Sequence, residues 1–469
     1  MKNMMNKTLV STLLLVPVAC QSENVQDNGK VPMQTPNIVY IMADDLGIGD
    51  LGCYGQQQIK TPCIDGLARN GMMFMRHYSG SSISAPSRCT LLTGKHTGHA
   101  AIRGNKPVTL ADGEKYDTPL PAKEVTVAKL LKQKNYRTAC IGKWGMGGPD
   151  SEGHPNRHGF DYFYGYLGQG HAHSYYPPFL FENNEKIMLE KKHYSHNLIV
   201  EKALDFIDKN AEHPFFLYFS PTIPHAELAV PEENMQQYEG QFQEKPFAGG
   251  HYCAQPKPRA AYAAMVTLLD TNVGQIIELL KRKGVYENTI IIFTSDNGVH
   301  KEGGHDPEYF NSNAGLRGIK RDFYEGGIRT PFIVEWPGMI APGSRNQHVS
   351  AFWDFLPTVC DITGISTPHD IDGISYLPVL KGLEQPEHDY LYYEFYEKQG
   401  TQAVIQDDWK LISLQVNAPK KTHYELYNLK TDPKEQHNVA VLHPDRVEQL
   451  KALIKQAHTK NPIFNYNFE

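Results

Sequence analysis

The sequence predicts an α/β fold with a mostly parallel central sheet, followed by a smaller C-terminal α+β domain with a short antiparallel sheet. Three observations predict it. Short, unbroken apolar runs alternate with amphipathic stretches of helical period, the pattern of a sheet buried on both faces. Each run ends in a polar loop rather than a tight hairpin turn. Beyond residue 385 the pattern changes to closely spaced short strands rich in Tyr and Thr.

In chain order, Asn37-Ile-Val-Tyr-Ile-Met42 reads as a buried strand, with Asp44-Asp45-Leu-Gly after it. Thr61-Pro62 opens a helix, with Thr as N-cap, Ile64, Leu67 and Ala68 on one face and Gly71 as stop. Val127, Leu130 and Leu131 mark another helix, which leads into a strand at Thr138 to Ile141 and the loop Gly142-Lys143-Trp144-Gly145. Pro214 to Ser220 is the next strand, followed by Pro221-Thr-Ile-Pro-His225. A long helix runs from about Arg259 to Lys283, with Gly284 as its stop. Thr289 to Thr294 is a strand that runs into Ser295-Asp296-Asn297-Gly298, and Pro331 to Trp336 is one more. In parallel sheets, sites form beyond the carboxyl ends of the strands. The loops with Asp44, Lys143, His225 and Asp296 are therefore expected to converge on one edge. At the C-terminus, Tyr390 to Tyr396, Thr401 to Ile405, Trp409 to Leu414 and Tyr424 to Asn428 read as antiparallel strands, and about Asp445 to Thr459 as a helix.

The first twenty residues read as an export signal. Lys2 and Lys7 precede an uncharged apolar stretch, Leu9 to Ala19, that is shorter than the roughly 20 residues needed to span a bilayer. Val18-Ala19-Cys20 resembles the end of a bacterial lipoprotein signal, with Cys20 as the acylated residue. Pro17 departs from that pattern, and plain secretion with cleavage nearby is the other reading. The expected organisation is a signal at 1–20, a linker at 21–35, a large domain at 36–384 and a C-terminal subdomain at 385–469. The 469 residues carry a net charge of −6 and 40% apolar residues, which suits a globular chain and gives no basic footprint for nucleic acid. A local cluster of cations can still bind an anionic ligand. Cys53, Cys63, Cys89, Cys140, Cys253 and Cys360 form no CxxC pair, so a thiolate zinc site has no support.

The segment of greatest chemical interest is Ser84-Ala-Pro-Ser-Arg88-Cys-Thr-Leu-Leu-Thr-Gly94. Pro86 suits a helix start, which puts Ser84 at an N-terminus whose free N–H groups favour an anion. Arg88 adds a forked cationic donor. Taken alone, the segment reads equally as an ordinary Ser-Pro cap. Asp44, Asp45, Asp296 and Asn297 offer only oxygen ligands, a set that suits a hard cation and favours Ca²⁺ over Zn²⁺.

The Ser84 to Gly94 run resembles the sulfatase family motif, Cys or Ser, then x-Pro-Ser-Arg, then a short apolar stretch ending in Thr-Gly. Asn37 to Leu46, Gly142-Lys143-Trp144, Ser295 to Gly298, Gly318 to Pro331 and Tyr424 to Pro433 resemble further blocks in the family's order, so the resemblance spans about residues 36 to 440. It implies an alkaline-phosphatase-like large domain. It implies that Ser84 is oxidised to formylglycine (3-oxoalanine) by a serine-type maturase. One Ca²⁺ would be held by Asp44, Asp45, Asp296, Asn297 and the oxygen at position 84. Arg88, Lys143 and Lys320 would clamp sulfate, and His225 would protonate the leaving alcohol. The expected substrate is a sulfated carbohydrate, galactose or N-acetylgalactosamine sulfate of host or algal glycans. The expected location is the periplasm, or the outer membrane of a Gram-negative bacterium through lipid at Cys20. Phosphomonoester or phosphonate hydrolysis on the same superfold, and a glycan-binding homologue with impaired catalysis, are the alternatives.

One position departs from the family. Many sulfatases carry His two residues after the Lys of Gly-Lys-Trp, where this chain has Gly145. His300, three residues after Asn297, is the nearest replacement by position, and His171 and His173 are others. His171, His173, His300 and Arg103 are taken as substrate contacts, with Asn105 beside them, although a structural role fits each as well.

Overall fold

The computed structural model describes Met1, residues 35–109 and residues 113–466. The expected signal, with Cys20, and all but the last residue of the linker lie outside these segments, apart from Met1. The main sheet has ten strands, in the order Ser344–Ala351, Met72–Tyr78, Phe332–Glu335, Thr289–Ser295, Asn37–Ala43, Phe215–Ser220, Arg137–Lys143, Tyr162–Tyr166, Phe179–Glu182 and Glu185–Met188. Its centre, from Thr289–Ser295 to Tyr162–Tyr166, is parallel throughout. Antiparallel pairs flank that centre on both sides.

Both faces are covered, as the unbroken apolar runs require. Side chains alternate along a strand. Val39, Ile41 and Ala43 pack with helices Pro62–Asn70, Ser195–Asn210 and Pro258–Arg282. Ile38, Tyr40 and Met42 pack on the other side with Ser84–Thr93, Val127–Lys132 and Phe355–Thr363. Pro258–Arg282 is long and apolar enough to cross a bilayer by length and composition, but most of its apolar window is buried against the sheet. It is a core helix.

Register decides where the loops meet. Ala43 pairs with Ser295 and Gly142 with Ser220. The next residues along the strands, Asp44 and Asp296, therefore leave adjacent strand ends on one edge, and Lys143 leaves beside them.

The second sheet is antiparallel, in the order Leu391–Phe395, Thr401–Gln406, Trp409–Leu414 and His423–Asn428. One face packs on helix Pro444–Ala457, and the other on Tyr78, Ile83, Phe323, Ile328 and Trp353 of the larger layer. A buried ion network pins this contact. Lys410 Nζ lies 3.0 Å from Glu325 Oε1 and 2.9 Å from Glu435 Oε1. The Glu325 N–H donates to Glu435 Oε2 at 2.6 Å, and the Tyr78 hydroxyl donates to Glu325 Oε2 at 3.1 Å.

Removing the cation would leave two buried carboxylates facing each other. Lys410→Ala is expected to cost about 3–5 kcal/mol of stability, read by chemical denaturation. A loss below about 1 kcal/mol, the size of an exposed pair, would show that the network does not pin the second sheet.

Candidate active site

The site lies at the carboxyl edge of the parallel strands. Asp44, Asp45, Asp296 and Asn297 are all buried there. Asp45 takes a left-handed backbone conformation (φ 63°), which Asp tolerates better than most residues. Its N–H donates to Asp296 Oδ1 at 3.0 Å. The Asn297 amide donates to Asp45 Oδ1 at 2.7 Å, while Asn297 Oδ1 is buried without a hydrogen-bond partner. One carboxylate oxygen from each of Asp44, Asp45 and Asp296 lies within 4.8 Å of the others. An oxygen-only set with an orphaned amide oxygen fits a hard divalent cation.

Three buried cations face these carboxylates. Arg88 Nη2 lies 2.9 Å from Asp296 Oδ2 and 3.5 Å from Asp44 Oδ1. Its Nη1 donates to the Lys143 carbonyl at 3.0 Å and to the Ser220 hydroxyl. Lys143 Nζ donates to Asp44 Oδ2 at 2.7 Å, and Lys320 Nζ to Asp45 Oδ2 at 2.7 Å. Burial and the neighbouring Asp44 push the Asp296 carboxyl up. Burial pulls Lys320 down, but Asp45 and Glu302 outweigh it, and the ammonium is held above its usual range.

Ser84 is the first residue of helix Ser84–Thr93, one position further in than a capping residue. Its hydroxyl donates to Asp44 Oδ1 at 3.2 Å and sits 3.4 Å from Lys143 Nζ. The Ala85 N–H at the same helix end donates to Asn105 Oδ1 at 3.1 Å. Asn105 thus serves the helix terminus directly.

His225 Nδ1 donates to its neighbour's carbonyl, that of Ala226. This tautomer leaves Nε2 as an acceptor, 3.0 Å from Lys320 Nζ and 3.4 Å from Asp45 Oδ2. Burial, with Lys320 and Lys143 close by, drives the imidazole well below its usual range. In this contact Lys320 Nζ is the donor and His225 Nε2 the acceptor.

The four expected substrate contacts separate. His173 lies at the site: its ring stacks on His225 at 5.0 Å and meets Tyr252 at 5.4 Å. His300 is buried with both nitrogens engaged by backbone, Nε2 donating to the Pro224 carbonyl at 3.1 Å and Nδ1 accepting from the Glu302 N–H at 3.0 Å. It braces two loops and has no nitrogen left for a substrate. His171 packs among Tyr166, Phe179 and Phe181 rather than against the site. Arg103 is committed elsewhere: Nη1 lies 2.6 Å from Glu394 Oε1 and donates to the Thr459 carbonyl at 2.6 Å. Glu394 is fully buried and needs that cation.

At Gly145 the space is already filled. A Cβ there would lie 2.0 Å from Gln169 Nε2, so Gln169 occupies the volume that a side chain at 145 would need. Gln169, Tyr252, Glu302 and Arg321 escape sequence reasoning because no motif or fixed spacing marks them. Glu302 pairs with Arg321 Nη1 at 2.8 Å and accepts from the Tyr252 hydroxyl at 2.8 Å. Burial raises its carboxyl, but Lys320 and Arg321 prevail and hold it at about 2.

Residues 36–365 match the family described as Sulfatase, and residues 318–461 match the one described as N-sulphoglucosamine sulphohydrolase, C-terminal. N-acetylgalactosamine-6-O-sulfatase of Bacteroides thetaiotaomicron is 29% identical, over 94% of this chain and 96% of that protein. Human steryl-sulfatase is 31% identical, over 76% of this chain and 72% of its own length. The crystal structure of Ps i-CgsB in complex with k-i-k-neocarrahexaose has a TM-score of 0.78 at 30% identity, covering 90% of this chain and 93% of that one. The family match takes in the Asp44–Asp45 loop, the Ser84 helix and the Asp296–Asn297 loop in one continuous stretch. This chain belongs to the sulfatase family and is a sulfuric ester hydrolase.

Proposed function

We propose that the chain removes sulfate from sulfated carbohydrates, galactose or N-acetylgalactosamine sulfates, with Ser84 oxidised to formylglycine and one Ca²⁺ at the carboxylate cluster. One observation carries this reading. The side chain at position 84 stands at a helix N-terminus, 3.2 Å from Asp44 Oδ1 and 3.4 Å from Lys143 Nζ, with Arg88 spanning Asp44 and Asp296 beside it. The relative named N-acetylgalactosamine-6-O-sulfatase and the neighbour solved with neocarrahexaose support the carbohydrate class.

Asp44, Asp45, Asp296 and Asn297 would hold the cation. Residue 84, once converted, would supply a hydrated aldehyde as nucleophile, and the cation would supply Lewis acidity. The chain's own groups do the rest. Arg88 pairs with Asp296 and Asp44 and fixes the position of both side chains. Lys143 and Lys320, which pair with Asp44 and Asp45, would turn to the sulfate oxygens, where negative charge grows during displacement. The Lys320–His225 pair carries one mobile proton over a 3.0 Å contact and delivers it to the leaving alcohol. The Ala226 carbonyl fixes the His225 ring so that Nε2 faces that transfer. A serine-type maturase would make the conversion. Export with a lipid at Cys20 would bring the enzyme to glycans outside the cytoplasm.

Peptide mass spectrometry of active protein is expected to find the aldehyde or its hydrate at Ser84. Full turnover from protein carrying only unmodified Ser84 would contradict the reading. The proton-delivery role has its own test. A general acid is worth about 10²–10⁴-fold, and that contribution is needed for a sugar alcohol but hardly for nitrophenol. His225→Ala should therefore cost far more on a sulfated sugar than on nitrophenyl sulfate. His300→Ala should lower the melting temperature and weaken both reactions alike. The reverse pattern would assign the acid to His300.

A further inference from the structure

The carbohydrate reading above leaves open which residues enforce it, and identity to relatives does not decide: the sugar and steroid sulfatases are 29% and 31% identical to this chain. The mouth of the site does decide. Sulfate, an anion, is drawn to the side of Ser84, Arg88 and Lys143. On the other side stands a carboxylate. Glu302 Oε2 lies 3.8 Å from Lys320 Nζ and 4.0 Å from His225 Nε2. Like charges repel, which favours the leaving alcohol over the sulfate on the Glu302 side. The Glu302 side chain is 25% exposed and the Arg321 side chain 33%, so both keep solvent-facing surface next to His225 and Lys320.

The two form a charged, hydrogen-bonding frame. Arg321 Nη1 holds Glu302 Oε1 at 2.8 Å, and its Nε lies 3.9 Å from Glu397 Oε2. The Tyr252 hydroxyl holds Glu302 Oε2 at 2.8 Å. Arg321 adopts a left-handed conformation (φ 77°), uncommon for a non-glycine residue, of the kind retained at ligand-facing sites. A carboxylate accepts from several directions and a guanidinium has five donors, so both keep capacity for a ligand. A sugar hydroxyl donates and accepts at once and can satisfy both. A steroid or aryl alcohol offers no hydroxyls there and would leave their remaining donor and acceptor capacity unmet.

We propose that Glu302 and Arg321, braced by Tyr252, bind hydroxyls of the sugar that bears the sulfate and select polyhydroxylated leaving groups over aryl and steroid ones. Sites built to pair a substrate hydroxyl reject analogues that lack it by about 10⁴–10⁵-fold.

The test uses protein with Ser84 conversion verified. Wild type, Glu302→Ala and Arg321→Lys are assayed on a panel of galactose and N-acetylgalactosamine sulfates, on nitrophenyl sulfate and on a steroid sulfate. Loss of one charged hydrogen bond is worth about 1.5–3 kcal/mol. Glu302→Ala should therefore lower kcat/KM on the best sugar about 10- to 100-fold, mostly through KM, and lower nitrophenyl sulfate turnover by a clearly smaller factor. Arg321→Lys should shift the same way. Calorimetric titration with the desulfated sugar reads the contact without turnover: wild type binds and Glu302→Ala binds more weakly. Equal losses on sugar and nitrophenyl esters would make Glu302 a positioning residue for Lys320 and overturn the proposal, as would an unchanged sugar reaction. Wild type that cleaves nitrophenyl or steroid sulfate but no sugar sulfate would overturn the carbohydrate reading with it. Converted wild type inert on every ester would remove the ester-hydrolase mechanism itself.

Discussion

Three carboxylates buried side by side, Asp44, Asp45 and Asp296, are the constraint around which this molecule is built. Buried charge is tolerated only when paired. Here Arg88, Lys143 and Lys320 supply one cation for each, all within 2.9 Å of a carboxylate oxygen. The balance has a chemical consequence. A divalent cation among the carboxylates would leave the cluster with net positive charge, and the lysines would then be free to turn toward an incoming anion. The same electrostatics that balance these carboxylates would make a cation-bearing cluster attractive to sulfate.

Sequence builds this constraint cheaply. Parallel register fixes Ala43 against Ser295, so two acidic loops leave the sheet on neighbouring strands. Helix Ser84–Thr93 packs Leu91 and Leu92 into the core and turns Ser84 and Arg88 toward the cluster. The second sheet contributes from a distance. Lys410 anchors Glu325, five residues after Lys320. Glu394 anchors Arg103, two residues before the Asn105 that caps the Ser84 helix end. The smaller layer thereby steadies two loops of the site without supplying a ligand to it.

Much of this was legible in the sequence. Unbroken apolar runs such as Asn37 to Met42 can only be central strands, and the polar residues that follow them had to gather at one edge. Paired oxygen donors in Asp44-Asp45 and Asp296-Asn297, and the Ser84 to Gly94 motif, are local patterns and carry over to the structure. The histidines and Arg103 were harder. A histidine in a loop looks the same whether its nitrogens meet substrate or backbone, and only tertiary contacts separate His173 from His171 and His300. Arg103 reads in the sequence as a substrate contact as readily as a structural residue, because its long-range partner, Glu394, lies 291 residues away. Glu302 and Arg321 carry no spacing signal at all. Their relation to His225 arises when three loops meet, and Gln169 fills the space at Gly145 for the same reason.

The carboxylate cluster would act as a cation site, balanced by Arg88, Lys143 and Lys320. Calcium titration of chelator-treated protein by calorimetry, with elemental analysis of the product, tests it most directly. The account predicts one Ca²⁺ per chain, a rise in melting temperature on binding, and loss of both in Asp45→Asn. Unit occupancy by zinc, or calcium binding and melting unchanged by Asp45→Asn, would contradict it.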